Sequence, residues 1–354
     1  MVVELTRLGD VITMMPALRL LVERFPQARF CIVVEDRYAA FLRDIRIPGE
    51  IVGIKRPETL VGFLRALKLV RTRRADLVLN MSPPKRNAAV ALASGAPRIV
   101  GYLTYVDSLT PYLETTPIES FGCVLERPAS YGRQNIEERS LAVCTAFGID
   151  TQHARHDIAL APSQEERVRS VLIERGLLPQ RRFIVIHPFS GWTYRSWPLE
   201  RFMELVERML AVLPDYDMLF VCEEAQAPSL APVSERFANG ATVRVFASSD
   251  LLQTAFLMKH AALVVANDSG PLHLAAALGT PVVGLFGPAS PELTAPRTAN
   301  GTFVYERVEC SPCTQFTCVR PEQWCMRKIA THDVLRSVVA RLSAQPVVQA
   351  TAHA

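Results

Sequence analysis

The feature that most constrains this chain is an alternation that runs twice. Short apolar runs are followed by amphipathic stretches of helical period, and the pattern restarts near residue 160. Such alternation marks parallel strands joined by crossover helices, so the predicted class is α/β with two Rossmann-like, doubly wound domains facing across a cleft. In the first round, strands are predicted over Val2–Thr6, Phe30–Val34, Asp76–Asn80 and Arg98–Tyr102. A helix follows Arg7-Leu8-Gly9-Asp10 to about Phe25, and Pro16 must lie in a first turn or kink it. Further helices are predicted over Leu60–Arg74 and Ile136–Phe147, the latter stopped by Gly148. The second round opens with Ser163 as an N-cap and Glu166 three residues on. Strands follow over Phe183–Ile186, Met218–Cys222, Thr242–Phe246, Leu263–Ala266 and Pro281–Phe286, the last of them. The helices between them span Leu199–Leu213, Leu251–Lys259 and a stretch ending at Leu278. The expected division is 1–160, 161–335 and a helix end with a frayed tail over 336–354.

Composition narrows the class of function. A chain of 354 residues fits two domains. With 49% hydrophobic and 21% charged residues it is globular. Lys plus Arg is 39 and Asp plus Glu is 35, and a net charge of +4 is too mild to argue for nucleic acid. No apolar run reaches the ~18–20 residues a spanning helix needs. The start, Met1 to Arg7, is too short and too charged for a signal peptide, so a cytoplasmic location is expected. The eight cysteines then read as thiols or metal ligands.

Two strand-to-helix turns carry candidate chemistry. In open α/β sheets ligands bind at the carboxyl ends of strands. Asp10, beside Gly9 at the end of the first strand, is placed to act as a general base or simply to cap a helix. Asn267-Asp268-Ser269-Gly270-Pro271-Leu272-His273 follows a buried strand and opens a helix. Free backbone N–H groups at such an end bind phosphate, and Ser269 and His273 add side chains in reach of the same anion. Neither turn is a dinucleotide fingerprint, because G-x-G-x-x-G is absent from both. The loop His187–Pro198 offers Ser190 and Arg195, whose guanidinium suits a diphosphate. Cys310-x2-Cys313-x4-Cys318-x6-Cys325 reads either as a structural zinc or iron site or as four reduced thiols. Arg65, Lys68, Arg71, Arg73 and Arg74 form a basic helix face, either solvated or turned to anionic headgroups or a phosphorylated acceptor. Asp215-Tyr216-Asp217 reads as a turn.

Together these motifs resemble the ADP-heptose:lipopolysaccharide heptosyltransferases, glycosyltransferase family 9. The resemblance runs from about Leu5 to Ile329 and rests on specific residues. They are Leu8-Gly9-Asp10-Val11 with Pro16-Ala17-Leu18, His187-Pro188 with Trp197-Pro198, the run Asn267 to Pro281, Leu285-Phe286-Gly287-Pro288, and Cys310-Ser311-Pro312-Cys313 with Cys325-Met326. It implies the GT-B arrangement, with an acceptor-binding N-terminal domain and a C-terminal domain for the nucleotide sugar. It implies direct transfer with inversion and no cofactor at the reaction centre. Asp10 matches the family's general base, and Arg7, Gly9 and Asn80 fall on the acceptor side. Asp268, Ser269, Gly270 and His273 match the donor diphosphate loop, with Ser190 and Arg195 beside it. Glu224 matches a ribose- or adenine-contacting glutamate. The expected partners are ADP-heptose and a glycolipid or other glycan acceptor, with peripheral contact at the cytoplasmic face of the inner membrane and no nucleic acid. Three departures stand out: Arg195 for a lysine, Asn80 for an aspartate, and Glu223-Glu224 where glycines are common. They leave open another nucleotide sugar or a polysaccharide or protein acceptor, and, further off, a non-catalytic glycan-binding subunit.

Overall fold

The computed structural model describes residues 1–55, 60–81, 85–101, 123–124, 135–179, 181–238, 240, 242–313, 318–320 and 322–344. Tyr102, at the end of one predicted strand, and tail residues 345–354 lie outside them. The chain divides into two compact units, Met1–Gln164 and Glu165–Ala354.

In the first unit β1 (Val2–Glu4) leads into α1 (Leu8–Thr13) and α2 (Met15–Arg24), followed by β2 (Cys31–Glu35), α3 (Asp36–Asp44), β3 (Glu50–Ile54), α4 (Leu60–Arg71) and β4 (Val78–Asn80). Then come α5 (Lys85–Ala93), β5 (Ile99–Gly101), β6 (Cys123–Val124) and α6 (Ile136–Thr145). α7 (Pro162–Glu174) runs through the division. The six strands pair in parallel in the order β3-β2-β1-β4-β5-β6. Val2 and Val3 are fully buried, and Val3, Val33, Val52, Val70 and Val78 share one core cluster.

The second unit contains β7 (Arg182–His187), α8 (Leu199–Val212), β8 (Tyr216–Cys222), α9 (Ala231–Arg236), β9 (Val243–Ala247), α10 (Leu251–His260) and β10 (Leu263–Asn267). It continues with α11 (Gly270–Ala277), β11 (Val282–Phe286), α12 (Pro291–Thr294), β12 (Gly301–Tyr305), α13 (Trp324–Arg327) and α14 (Thr331–Ser343). Its sheet is also parallel, ordered β12-β11-β10-β7-β8-β9. Counted from each unit's own first strand, both sheets have the doubly wound order 3-2-1-4-5-6. The strand direction of winding therefore reverses between β1 and β4 in one unit and between β7 and β10 in the other. Those two carboxyl ends are where such sheets bind ligands.

Several local readings change. The predicted helix ending at Phe25 is two helices, broken at Met14, with Pro16 in the first turn of α2, where its missing N–H costs nothing. Ser163 lies inside the first turn of α7 and is not its N-cap, since Pro162 opens the helix. Pro281–Phe286 is not the last strand: β12 follows it in parallel at the sheet edge, half-exposed throughout. Asp217 is not in a turn but buried in β8, between Arg181 and Arg244, each at 3.5 Å. Gly148 has φ +66°, the left-handed conformation that closes α6.

Candidate active site

The carboxyl end of β10 is built from a buried amide. Asn267 is fully buried, donates through Nδ2 to the Pro188 carbonyl at 2.6 Å, and accepts the Trp197 N–H at 3.0 Å. One side chain thus fastens the long loop after β7 to the turn after β10. Trp197 anchors the same loop from the other side. Its indole is 1% exposed, donates to the Ile329 carbonyl at 3.1 Å, and meets Phe202 edge-on at 4.9 Å.

On this frame sits an ion pair. Arg195 Nη1 lies 2.9 Å from Asp268 Oδ2, with the carboxylate side chain 3% exposed and the arginine 20%. Thr294 Oγ1 donates to the same carboxylate oxygen at 3.3 Å, and Ser190 Oγ donates to the Asp268 carbonyl at 3.1 Å. A carboxylate taken this far out of water needs such partners. A guanidinium carries five N–H donors in a planar fork, so it can be held by Asp268 and still present donors to an anion.

The first turn of α11 holds two buried polar atoms with no hydrogen-bond partner among the described residues, Ser269 Oγ and His273 Nδ1. Leaving such groups unsatisfied costs roughly 1–3 kcal/mol each. Ser269 is the N-cap of α11, yet its side chain does not cap the helix. A bound anion would accept a hydrogen bond from the hydroxyl and meet the open N–H groups of the helix start. Gly284 of β11 sets how close that helix comes: a Cβ there would lie 2.8 Å from Leu272 Cδ2. Gly270 is the first residue of α11.

His273 is pushed down to about 4, first by burial and then by the charge of Arg195. His187 is also pushed down to about 4 by burial, against a hydrogen bond to the Phe189 carbonyl at 3.1 Å. Both rings are therefore neutral at pH 7, and His273 acts as a neutral hydrogen-bonding group. The unfolded chain binds these protons near pH 6.5, the folded chain only near 4. Between the two the unfolded state holds more protons, so stability falls as pH drops. We expect a loss of about 2 kcal/mol per histidine between pH 7 and 5 in urea unfolding, halved in a His187→Gln variant. An unchanged pH slope in that variant would contradict the assignment.

The other site residues are placed as follows. Asp10 is the third residue of α1, not the residue before it, and its Oδ2 accepts the Arg7 N–H at 3.3 Å. Gly9 is buried in the same turn, and Leu8 donates its N–H to the Tyr38 hydroxyl at 3.1 Å. Asn80, 1% exposed, ends β4 beside β1, so it and Asp10 share the winding-reversal end of the first sheet. Its neighbour Gly101 has φ +134°, and a Cβ there would meet the Asn80 carbonyl at 2.0 Å. Glu224 is exposed at the start of a 3₁₀ turn after β8 and is not joined to the Arg195–Asp268 pair. Thr294 was not among the expected site residues, and Asn267 was named only as the first residue of its motif, without a role.

Of the two readings of Cys310, Cys313, Cys318 and Cys325, the structural zinc or iron site is not supported. Among the described residues no group of three or more His, Cys, Asp or Glu is arranged to hold one. Cys325 is buried in α13, where burial pushes its thiol up to about 11, while Cys313 is exposed and Cys310 leans on the core. No helix among the described residues is long and apolar enough to cross a membrane.

Comparison with known proteins agrees with this layout. The model of glycosyltransferase family 9 (heptosyltransferase) matches residues 63–323. Lipopolysaccharide heptosyltransferase 3 of Escherichia coli is 24% identical over 292 residues, 79% of this chain and 80% of that protein. Lipopolysaccharide heptosyltransferase 1 of Pseudomonas aeruginosa is 24% identical over 329 residues, 90% of this chain and 86% of that one. The solved structure of E. coli ADP-heptose lps heptosyltransferase II superposes with TM-score 0.73 at 19% identity, covering 97% of this chain and 98% of that one. The two parallel, doubly wound units are the GT-B fold class, and the chain belongs to glycosyltransferase family 9 (heptosyltransferase).

Proposed function

We propose that this glycosyltransferase moves heptose from ADP-heptose to an inner-core lipopolysaccharide acceptor, with inversion at the anomeric carbon. The observation that carries the reading is the buried, unpartnered pair Ser269 Oγ and His273 Nδ1 beside the Arg195–Asp268 ion pair. Two hydrogen-bonding groups, a cation and a helix N-terminus at one strand end suit a diphosphate.

In this reading the second unit holds the donor. Ser269, Gly270 and His273 contact the diphosphate, Arg195 neutralises it, and Ser190 and Asp268 hold Arg195 and the turn in place. Glu224 meets the nucleoside. The first unit holds the acceptor, with Arg7, Gly9 and Asn80 near its sugar. Asp10 takes the proton of the acceptor hydroxyl as its oxygen bonds to the anomeric carbon. The bond from that carbon to the diphosphate oxygen breaks, and ADP leaves with the electron pair. Negative charge grows on the leaving oxygen, where fixed donors count most. The oxocarbenium-like centre resembles that of glycoside cleavage.

The test is transfer by purified protein with ADP-heptose and a heptose-free core glycolipid. Formation of the heptosylated product with release of ADP is expected. Use of a GDP- or UDP-sugar in its place would keep the family and discard this donor. Another nucleotide sugar is the second reading, favoured by the exposed Glu223-Glu224 edge and tested with the same donor panel.

A further inference from the structure

His273 has two neighbours to serve and, when neutral, a single N–H. The Thr294 carbonyl, at the last residue of α12, accepts a hydrogen bond from its ring. Its Nδ1 is buried and unpartnered, in the first turn of α11, where the Ser269 hydroxyl is unpartnered too. A neutral imidazole offers one N–H and one lone pair. That is enough while the Thr294 carbonyl is the ring's acceptor. An anion at the helix start sets phosphate oxygen against Nδ1 as well, and only a ring with a proton on each nitrogen donates to both. The charges around the ring point the same way. Arg195 and Asp268, 2.9 Å apart, sum to zero, so the pair offers no net cation to a doubly ionised diphosphate ester. α12 carries Glu292, while β10 and β11 carry no charged group. α10, which also packs on α11, brings Lys259 and His260, both paired with Glu165 of α7.

We propose that His273 takes up a proton when the nucleotide-sugar donor binds, and faces the leaving diphosphate as an imidazolium. This rests on the diphosphate reading of the turn. The neutral ring belongs to the turn without an anion, where burial and the charge of Arg195 hold it down at about 4. To be charged near pH 7, the ring needs the bound anion to favour its imidazolium form by roughly a thousandfold. One opposite charge about 4 Å away, at the effective dielectric typical of protein sites, supplies that much. The Thr294 carbonyl adds to it, since it already favours the charged form. The proton comes from water and goes to Nδ1. It stays on the ring during transfer, while the acceptor's proton goes to Asp10 and the electron pair of the broken bond stays on the diphosphate oxygen. The imidazolium N–H then meets the charge growing on that oxygen, where a fixed donor counts most. When ADP leaves, the proton returns to water.

The test is calorimetric titration of the full chain with ADP-heptose, without acceptor, in buffers of different ionisation heat at about pH 7. The diphosphate of this donor is esterified at both ends and does not itself titrate there. Uptake of about half a proton or more per donor is expected, with affinity rising roughly threefold or more from pH ~7 to ~6. His273→Gln keeps an N–H but cannot be charged, so it should bind with no uptake and a flat pH profile. His187→Gln removes a ring that burial also holds down at about 4, outside the donor contacts, and should keep both. Binding without proton uptake by wild type, or uptake that survives in His273→Gln, would overturn the proposal and leave the donor site standing. Spectra of isotope-labelled histidine rings give the answer without a variant. One neutral ring should become imidazolium as the donor saturates wild type, and no change would overturn the proposal. Absence of ADP-heptose binding by wild type would overturn the diphosphate reading and this proposal with it.

Discussion

Replacing Asp10 by Asn is expected to lower kcat by ~10²–10⁴ while leaving ADP affinity unchanged. Asparagine is the informative change. The Asp10 carboxylate accepts the Arg7 N–H at 3.3 Å, so it also closes the first turn of α1. An amide oxygen can accept that bond in the same way, whereas alanine cannot and would mix a capping loss of ~0.5–2 kcal/mol into the result. Asparagine therefore removes the proposed base and keeps the helix start. The expected signature is a collapsed kcat, an unaltered unfolding midpoint, and nucleotide binding equal to wild type. Turnover above a tenth of wild type would remove Asp10 from the role of base and leave it as a capping residue.

The second large effect belongs to the Arg195–Asp268 pair. Each single alanine variant should lose ~10²–10³ in kcat/KM. Without Asp268, the guanidinium keeps its charge but loses the buried carboxylate that aims it, 2.9 Å away. Without Arg195, a carboxylate 3% exposed loses the guanidinium 2.9 Å away and comes under strong pressure to protonate or turn away. If the two act as one device, the double variant should be no worse than either single. Additive losses would mean that each residue contacts the donor on its own.

The second unit was the more legible in the sequence, for a physical reason. Its central strands β7 and β10 are flanked on both faces, so Ile184–Ile186 and Leu263–Ala266 read as unbroken apolar runs. β3, β6 and β12 were missed because they are edge or short strands. Glu50-Ile51-Val52-Gly53-Ile54 is interrupted by a glycine, and Gly301–Tyr305 is half-exposed along its length. α3 was missed because it starts one residue after β2 with no loop between. α5 was missed because its alanine-rich sequence has little contrast between faces.

The turn after β10 could be located because its residues are adjacent in the chain. What could not be read was which partners the fold brings to it from elsewhere. Asn267 reaches Pro188 and Trp197, some seventy-odd positions away, and Thr294 reaches Asp268 from the end of α12. The cysteine spacing left a metal site and four reduced thiols both open, and among the described residues no group of three or more ligands is arranged to hold a metal.

The most direct measurement is isothermal titration of the purified chain with ADP, GDP and UDP, wild type beside Asp268→Asn. The account predicts binding selective for ADP, reduced at least tenfold in the variant, because it puts the donor diphosphate at the turn after β10. Failure of all three nucleotides to bind, or equal ADP affinity in wild type and variant, would contradict it.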